Sequence, residues 1–274
     1  MKALLAQDFG HRHLMIGMVH TLPLPGAPQY DRAAGMRRIV EHARAEARAL
    51  VDAGFHALLY CNEADMPWQT RLEADTVAAM AAVVVDVQAG LSLPFGINLL
   101  IDPAASIAVA HATGGRFVRA FLTGGYVGDM GILNTDGPGV LRLRSRIGAE
   151  SVRILANITA GFSVPIAERP IEDAAKGAVF VGLADAVVVN AAAAGVAVEH
   201  DTVARVAAAV PDTPVVVGTG AAEHNVGALM AVADAFIVGS SIKRDGKTLN
   251  PIDPARAAAF MAAVQRAESG AGKP

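Results

Sequence analysis

The chain has 274 residues, a net charge of −3 at pH 7 and 53% hydrophobic residues. The near-neutral charge and the lack of a basic block exclude nucleic acid as an expected partner. Cys61 is the only cysteine, which excludes an intrachain disulfide and a cysteine metal cluster. The length suits one barrel of about 250 residues, and we expect one domain over residues 1–274 with a frayed tail from residue 268.

The N-terminal residues 1–9 lack the basic and apolar regions of a secretory leader. Glycine, proline or charge interrupts each apolar segment well short of a membrane span of ~20 residues. We therefore expect a soluble cytoplasmic protein without a membrane span.

Short apolar runs alternate with segments of helical spacing along the chain. The predicted strands are 14–19, 55–60, 94–100, 116–122, 152–158, 185–190, 214–217 and 234–238. The predicted helices are 33–53, 72–88, 103–112, 138–147, 171–182, 202–210, 223–232 and 253–267. Segment 183–189 resembles segment 232–238, which indicates a repeated βα unit.

This order predicts an α/β fold, a (β/α)8 TIM barrel. A doubly wound open sheet is the alternative, but the first strand has no glycine-rich turn after it, and this favours closure. Residues 123–131 form a long glycine-rich loop, which is typical of a functional or mobile segment.

The turns after the seventh and eighth strands predict a phosphate site. Glycine lets backbone N–H groups approach a ligand, and barrels often bind phosphate after these two strands. The residues are Gly218, Thr219, Gly220, Gly239, Ser240 and Ser241. We expect helix dipoles at both turns to assist. The alternative is two ordinary turns, with Lys243 either lending charge to the phosphate or lying solvated in the next helix.

Other polar residues stand where predicted strands end, which is the active-site side of a barrel. His20 and Asp65 are candidates for proton transfer. The alternatives are a histidine bonded to the proline loop at 21–26 and an aspartate that caps a loop. Arg119 either binds an anionic substrate or forms a structural ion pair. The residues expected to hold substrate hydroxyls are Asn62, Asn98, Asn157 and Asn190.

We expect no metal and no cofactor. No histidine pair has metal-ligand spacing, no three ligands are expected to converge, and no P-loop or dinucleotide fingerprint is present. Cys61 is expected to be a buried, inert thiol.

Several motifs resemble the BtpA family, which includes a photosystem I biogenesis protein and SgcQ-type proteins of carbohydrate operons. The opening match is Ile16-Gly17-Met18-Val19-His20 with Leu22-Pro23-Leu24-Pro25-Gly26, and a later one is Glu223-His224-Asn225-Val226. Further matches include Asn62 with Asp65 and Pro67, Gly96-Ile97-Asn98 and Phe117-Val118-Arg119. The resemblance covers nearly the whole chain and implies a (β/α)8 barrel similar to ribulose-phosphate-binding barrels.

The chain also departs from that family's pattern. The family usually has an acid where Cys61 stands, and an aspartate followed by a lysine–histidine pair in the segment that is 156–162 here. Its glycine- and serine/threonine-rich turn after the sixth strand is replaced here by Ala191 to Ala194. These departures indicate a divergent member with altered or lost catalysis.

Two functions are consistent with the sequence. The first is a barrel that binds a small phosphorylated metabolite such as a sugar phosphate, as a metal-independent isomerase or lyase acting by proton transfer, within a homo-oligomer. The alternative is a non-enzymatic assembly or regulatory factor for a protein complex, which would keep the barrel, need no acid–base pair and expose an apolar patch.

Overall fold

Eight parallel strands close into a barrel in the computed structural model, which describes residues 8–191 and 196–270. The strands are β1 (Leu14–His20), β2 (Ala57–Cys61), β3 (Phe95–Asn98), β4 (Phe117–Ala120), β5 (Gly125–Gly128), β6 (Gly131–Asn134), β7 (Arg153–Asn157), β8 (Ser163–Pro165), β9 (Ala186–Val189), β10 (Val215–Val217) and β11 (Ala235–Val238). The barrel order is β1-β2-β3-β4-β7-β9-β10-β11, and β11 pairs with β1 in parallel. The predicted (β/α)8 fold is confirmed.

Helices follow the barrel strands as the sequence predicts. They are α1 (Gly35–Asp52), α2 (Ala74–Gln88), α3 (Pro103–Thr113), α4 (Gly137–Arg146), α5 (Ile171–Phe180), α6 (His200–Ala209), α7 (Val226–Leu229) and α8 (Pro254–Gly270). None of the helices in the described ranges is long and apolar enough to cross a membrane.

Alternation along the strands divides the core into two parts. On β1, Leu14, Ile16 and Met18 belong to a cluster inside the barrel. Met15 and Val19 belong to the larger cluster between the barrel and its helices. Successive side chains of a strand point to opposite faces. The last residue of β1, His20, therefore points inside, at the open C-terminal end of the barrel.

Helix α7 is much shorter than expected. The spacing predicts a helix over 223–232, but only Val226–Leu229 is helical. The Asn225 side chain accepts a hydrogen bond from the Ala222 N–H at 2.8 Å and donates one to the Gly220 carbonyl at 2.9 Å. These bonds hold 222–225 as a turn, because a side-chain amide that binds nearby backbone groups competes with the helix.

The loop at 123–131 is also more ordered than its composition predicts. β5 and β6 form a hairpin across it, and β8 adds to the other side of β5, which makes a small antiparallel sheet in the order β6-β5-β8. The strand β8 comes from the long connection after β7. Pairing between segments that are distant in sequence created this sheet, so local composition did not reveal it.

Three expectations fall at the edges of the described chain. The tail from residue 268 was expected to fray, but α8 continues through Gly270. The expectation that the N-terminal segment lacks a leader falls mostly on residues 1–7, which lie outside the described ranges. The turn after the sixth strand falls mostly on residues 192–195, which also lie outside them, as do 271–274.

A buried ion pair joins the two ends of the fold. Glu46 of α1 and Lys243, just after β11, are 2% and 1% exposed at their side chains, and the Lys243 Nζ contacts Glu46 Oε2. The Ile252 N–H donates to the other carboxylate oxygen of Glu46 at 2.7 Å. Lys243 is therefore neither solvated nor turned toward the predicted phosphate site.

Candidate ligand-binding site

A layer of polar side chains covers the inner core at the open end of the barrel. Strand pairing makes His20 a neighbour of Cys61, and Cys61 a neighbour of Asn98. Above this layer lies a cavity of about 140 Å³. The predicted site residues that line it are His20, Asn98, Arg119, Asn157, Asn190, Gly218, Thr219, Gly220, Gly239, Ser240 and Ser241.

Arg119 is the cationic centre of this layer. Its Nε donates to Asn157 Oδ1 at 3.0 Å, and its Nη2 donates to Asn190 Oδ1 at 2.6 Å. No carboxylate within 8–191 and 196–270 lies within 4.0 Å of the guanidinium, so the structural ion pair considered from the sequence is not formed. Burial lowers the pKa of Arg119, and the nearby Cys61 and Glu63 oppose that shift.

The two predicted phosphate turns face the same cavity. The backbone N–H groups of Gly220, Ser240 and Ser241 have no hydrogen-bond partner in the described part of the chain. A Cβ added to Gly218 would lie 3.2 Å from Arg119 Nη2, which shows how closely the guanidinium approaches this turn. The site therefore combines unpaired backbone donors with a cation.

The expectation that helix dipoles assist phosphate binding at both turns is wrong. α7 has four residues, and Ser240–Ile242 is a single 3₁₀ turn, so neither can develop a sizeable dipole. The side-chain hydroxyls of these two turns already form hydrogen bonds within the protein. The Thr219 Oγ1 accepts from the Ala191 N–H at 2.8 Å, the Ser240 hydroxyl bonds that of Thr248, and the Ser241 Oγ donates to the Ala221 carbonyl at 2.7 Å.

His20 lies at the base of the cavity and is 4% exposed. Its Nδ1 is buried without a hydrogen-bond partner, so the ring is not fixed by the proline loop as the alternative required. Burial, followed by the charge of Lys243, holds the pKa of His20 well below its usual value. The imidazole is therefore neutral at pH 7.

Glu63 joins His20 and Cys61 in a cluster that sequence reasoning missed. One ligand atom from each side chain lies within 4.8 Å of the others. The expectation that no three such groups converge is therefore wrong. Glu63 stands two residues after Cys61, and strand alternation would have placed both on one side. Burial raises the pKa of both groups, and Cys61 Sγ donates to Glu63 Oε2 at 3.7 Å.

The structure places Asn62 and Asp65 outside the central cavity, beside a neighbouring one. Asp65 accepts from the Leu24 N–H at 2.8 Å and from Asn62 Nδ2 at 3.0 Å, while Asn62 Oδ1 accepts from the Leu100 N–H at 2.7 Å. Both side chains thus join three loops, which is the geometry of the loop-cap alternative. Burial raises the pKa of Asp65.

Aromatic and apolar groups form the outer wall of the cavity. Trp68 and Phe162 pack with ring centroids 5.4 Å apart, and Met130 and Leu133 come from the β5–β6 hairpin. A polar floor under an apolar wall is typical of sites for small molecules.

Comparison with known proteins assigns this chain to a family. The model of the BtpA family matches residues 11–266. The sgc region protein SgcQ of Escherichia coli is 35% identical over 260 residues, covering 95% of this chain and 97% of that protein. The photosystem I biogenesis protein BtpA of Synechocystis is 33% identical over 263 residues, covering 95% and 91%.

Among solved structures, phosphoribosyl anthranilate isomerase from Thermus thermophilus aligns with a TM-score of 0.57 at 11% identity, covering 92% of this chain and 98% of that one. That likeness concerns the barrel fold. The family match extends over almost the whole chain, and two relatives of nearly full length agree with it. The chain belongs to the BtpA family.

Proposed function

We propose that the protein binds a small phosphorylated metabolite, such as a sugar phosphate, at the open end of its barrel. The observation that carries this proposal is Arg119, a cation in the barrel interior whose hydrogen-bond partners in the described chain are neutral amides. Arg119 is partly buried and has no carboxylate within 4.0 Å among the described residues, so an anionic ligand would supply a counter-charge in direct contact. Arginine is also well suited to bidentate contact with phosphate oxygens.

The phosphate would lie between the turns at 218–220 and 239–241, where the Gly220, Ser240 and Ser241 N–H groups are unpaired. The rest of the metabolite would extend over His20 and Asn98. The Asn98 Oδ1 has no bond in the described chain and can accept from a hydroxyl. Asn190 already donates to Asn157 and to the Thr159 carbonyl, so its part is to hold Arg119 in place.

Proton transfer on this metabolite, as in an isomerase or lyase, is the chemistry that the site supports best. The neutral His20 imidazole can accept a proton, and it lies beside Glu63. Asp65 and Asn62 no longer have a direct part in this proposal, because their oxygen atoms bind loop groups away from the cavity.

The phosphate site is tested by Gly239→Asp. A Cβ at Gly239 would lie 3.4 Å from the nearest atom, Met18 Cγ, so a Cβ fits there in ordinary van der Waals contact. At 100 times its dissociation constant, phosphate should stabilise the wild type by about 2.7 kcal/mol and raise Tm by about 5–11 °C. The added carboxylate should abolish that shift, as measured by thermal melting with sugar phosphate at fixed ionic strength.

The matched control is Gly239→Asn, which has the same shape without the charge and should keep part of the shift. Ser240→Ala should weaken the shift less than Gly239→Asp, since the backbone donor remains. Equal shifts for wild type and Gly239→Asp would place the anion elsewhere and remove the basis of the proposal.

A second candidate function is assembly or regulation of a protein complex. The observation that favours it is the outer face of the small sheet, which we call the apolar sheet face. Its residues are Val127, Ile132, Val164 and Ile166, and they are 41% to 69% exposed. Paired positions align Val127 with Ile132 and with Val164, so the apolar groups are contiguous. Such patches are typical of protein contacts.

The simplest occupant of the apolar sheet face is a second copy of the chain, in line with the proposed homo-oligomer. Sedimentation of the wild type and of the Ile132→Glu variant distinguishes the metabolite-binding oligomer from the assembly factor. Dissociation of an oligomer by Ile132→Glu, with the phosphate shift in Tm retained, supports the metabolite-binding oligomer. A monomeric wild type without any phosphate shift supports the assembly factor.

A further inference from the structure

We propose that His20, Cys61 and Glu63 bind a zinc ion at the base of the barrel cavity, with one coordination position open to the ligand. The placement of the ion stands on these three side chains alone. Only the identity of the incoming ligand, a phosphorylated metabolite with a carbonyl or hydroxyl oxygen, rests on the proposed function.

The donor set is the first argument. An imidazole nitrogen, a thiolate and a carboxylate are all zinc ligands, and a soft sulfur donor disfavours Mg²⁺ and Ca²⁺. Three protein ligands with a fourth position free is the pattern of catalytic rather than structural zinc. With Cys61 and Glu63 both ionised, the two ligand charges balance those of the metal. Arg119 therefore remains available for an anion.

The geometry is the second argument. Bond lengths of about 2.0–2.3 Å place tetrahedral zinc ligands about 3.5 Å from one another. The Cys61 Sγ to Glu63 Oε2 separation is 3.7 Å, and all three ligand atoms lie within 4.8 Å. Binding zinc would require the imidazole and the carboxylate to move closer to the thiolate by side-chain rotation.

The third argument is the buried His20 Nδ1, which has no partner among the described groups although the residue is only 4% exposed. Buried polar atoms are usually satisfied, and an unsatisfied one beside a ligand cluster is consistent with a water or an ion at that position. Asn98 Nδ2 donates to Cys61 Sγ at 3.5 Å, which is an outer-sphere contact that supports a thiolate.

The proposal gives the ion a defined chemistry. Zinc binding displaces the Cys61 thiol proton to solvent. The bound metal would polarise a carbonyl or hydroxyl oxygen of the metabolite as a Lewis acid. His20 would then be a metal ligand and not the proton acceptor. A water or hydroxide held at the metal would accept the proton instead.

The test is Co²⁺ titration of the full chain, purified with a chelator and freed of it. Because Cys61 is the only cysteine, a thiolate-to-cobalt charge-transfer band reports this site alone. We expect the band to saturate at one equivalent and Zn²⁺ to displace it. Cys61→Ser should remove the band. Stoichiometric Co²⁺ without the band, or no stoichiometric binding, overturns the proposal.

Two further variants keep the test decisive if Cys61→Ser fails to fold. Glu63→Gln should keep the band but weaken Co²⁺ binding by more than the about 10–100-fold cost of losing an outer-sphere partner. The control Glu150→Gln, at an exposed carboxylate, should bind as wild type does. Equal affinity for wild type and Glu63→Gln would exclude Glu63 as a ligand and refute the site.

The phosphate titration with chelator present separates this inference from the proposed function. A phosphate shift in Tm without any cobalt band refutes the metal site and leaves the phosphate site. A cobalt band without a phosphate shift in Tm refutes the phosphate site and leaves the metal site.

Discussion

Lys243→Met should destabilise the fold by about 3–5 kcal/mol, because it leaves the buried Glu46 carboxylate without its counter-charge. The two side chains are 1% and 2% exposed, so water cannot replace the lost partner. Burial lowers the pKa of Lys243, and the charge of Glu46 opposes that effect. Against a typical total of about 5–15 kcal/mol, this loss is a large part of the stability. Urea unfolding would measure it.

The position of the pair explains why the effect should be global. Glu46 lies on α1, and its other oxygen accepts the Ile252 N–H shortly before α8 begins. The first helix and the last segment of the chain are therefore held through one carboxylate. Glu46→Gln should be similarly costly, since it leaves the buried ammonium unpaired. The double variant Glu46→Leu with Lys243→Met should lose less than the sum of the single losses.

Arg38→Ala is the matched control on the same helix. Its ion pair with Asp31 has a distance of 3.0 Å, but the side chains are 62% and 52% exposed. An exposed pair contributes about 0–1 kcal/mol, so its loss should hardly move the urea midpoint. A Lys243→Met variant as stable as Arg38→Ala would show that the buried pair is dispensable.

Arg119→Met should abolish phosphate binding while leaving the ligand-free fold about as stable as the wild type. In the described chain the guanidinium donates hydrogen bonds only to the amide oxygens of Asn157 and Asn190, and no carboxylate there forms an ion pair with it. Removing one partner of a buried ion pair costs about 3–5 kcal/mol, whereas here we expect a loss below about 1 kcal/mol. The phosphate-dependent stabilisation of about 2.7 kcal/mol at 100 times the dissociation constant should vanish.

Two variants sharpen this test. Arg119→Lys keeps the charge without the planar fork and should retain a weakened phosphate shift. Arg116→Met removes an exposed arginine just before β4 and should behave as wild type. If Arg119→Met unfolds the ligand-free protein but phosphate still binds to the Arg119→Lys protein unchanged, Arg119 serves the fold and not the ligand.

Sequence patterns determined the barrel and most of its open end. Eight apolar runs, each followed by a helical segment, fix the order of the eight barrel strands around the ring. The period of two along a strand then places His20, Asn98 and Arg119 in the cavity, because the carboxyl ends of parallel strands meet at one edge. These are local properties of the chain, so they can be inferred without knowing which residues contact each side chain.

Tertiary structure decided what each polar group contacts. The parallel pairing of β1 with β2 brings His20 against Cys61 and Glu63 although more than 40 positions separate His20 from Glu63. Among the described residues, long-range packing also gives Lys243 its partner on α1 and leaves Arg119 without a carboxylate in ion-pair contact. The pairing of β8 with β5 turned a loop into a sheet. Charge partners and strand pairs are set by distance in space, which local sequence spacing does not encode.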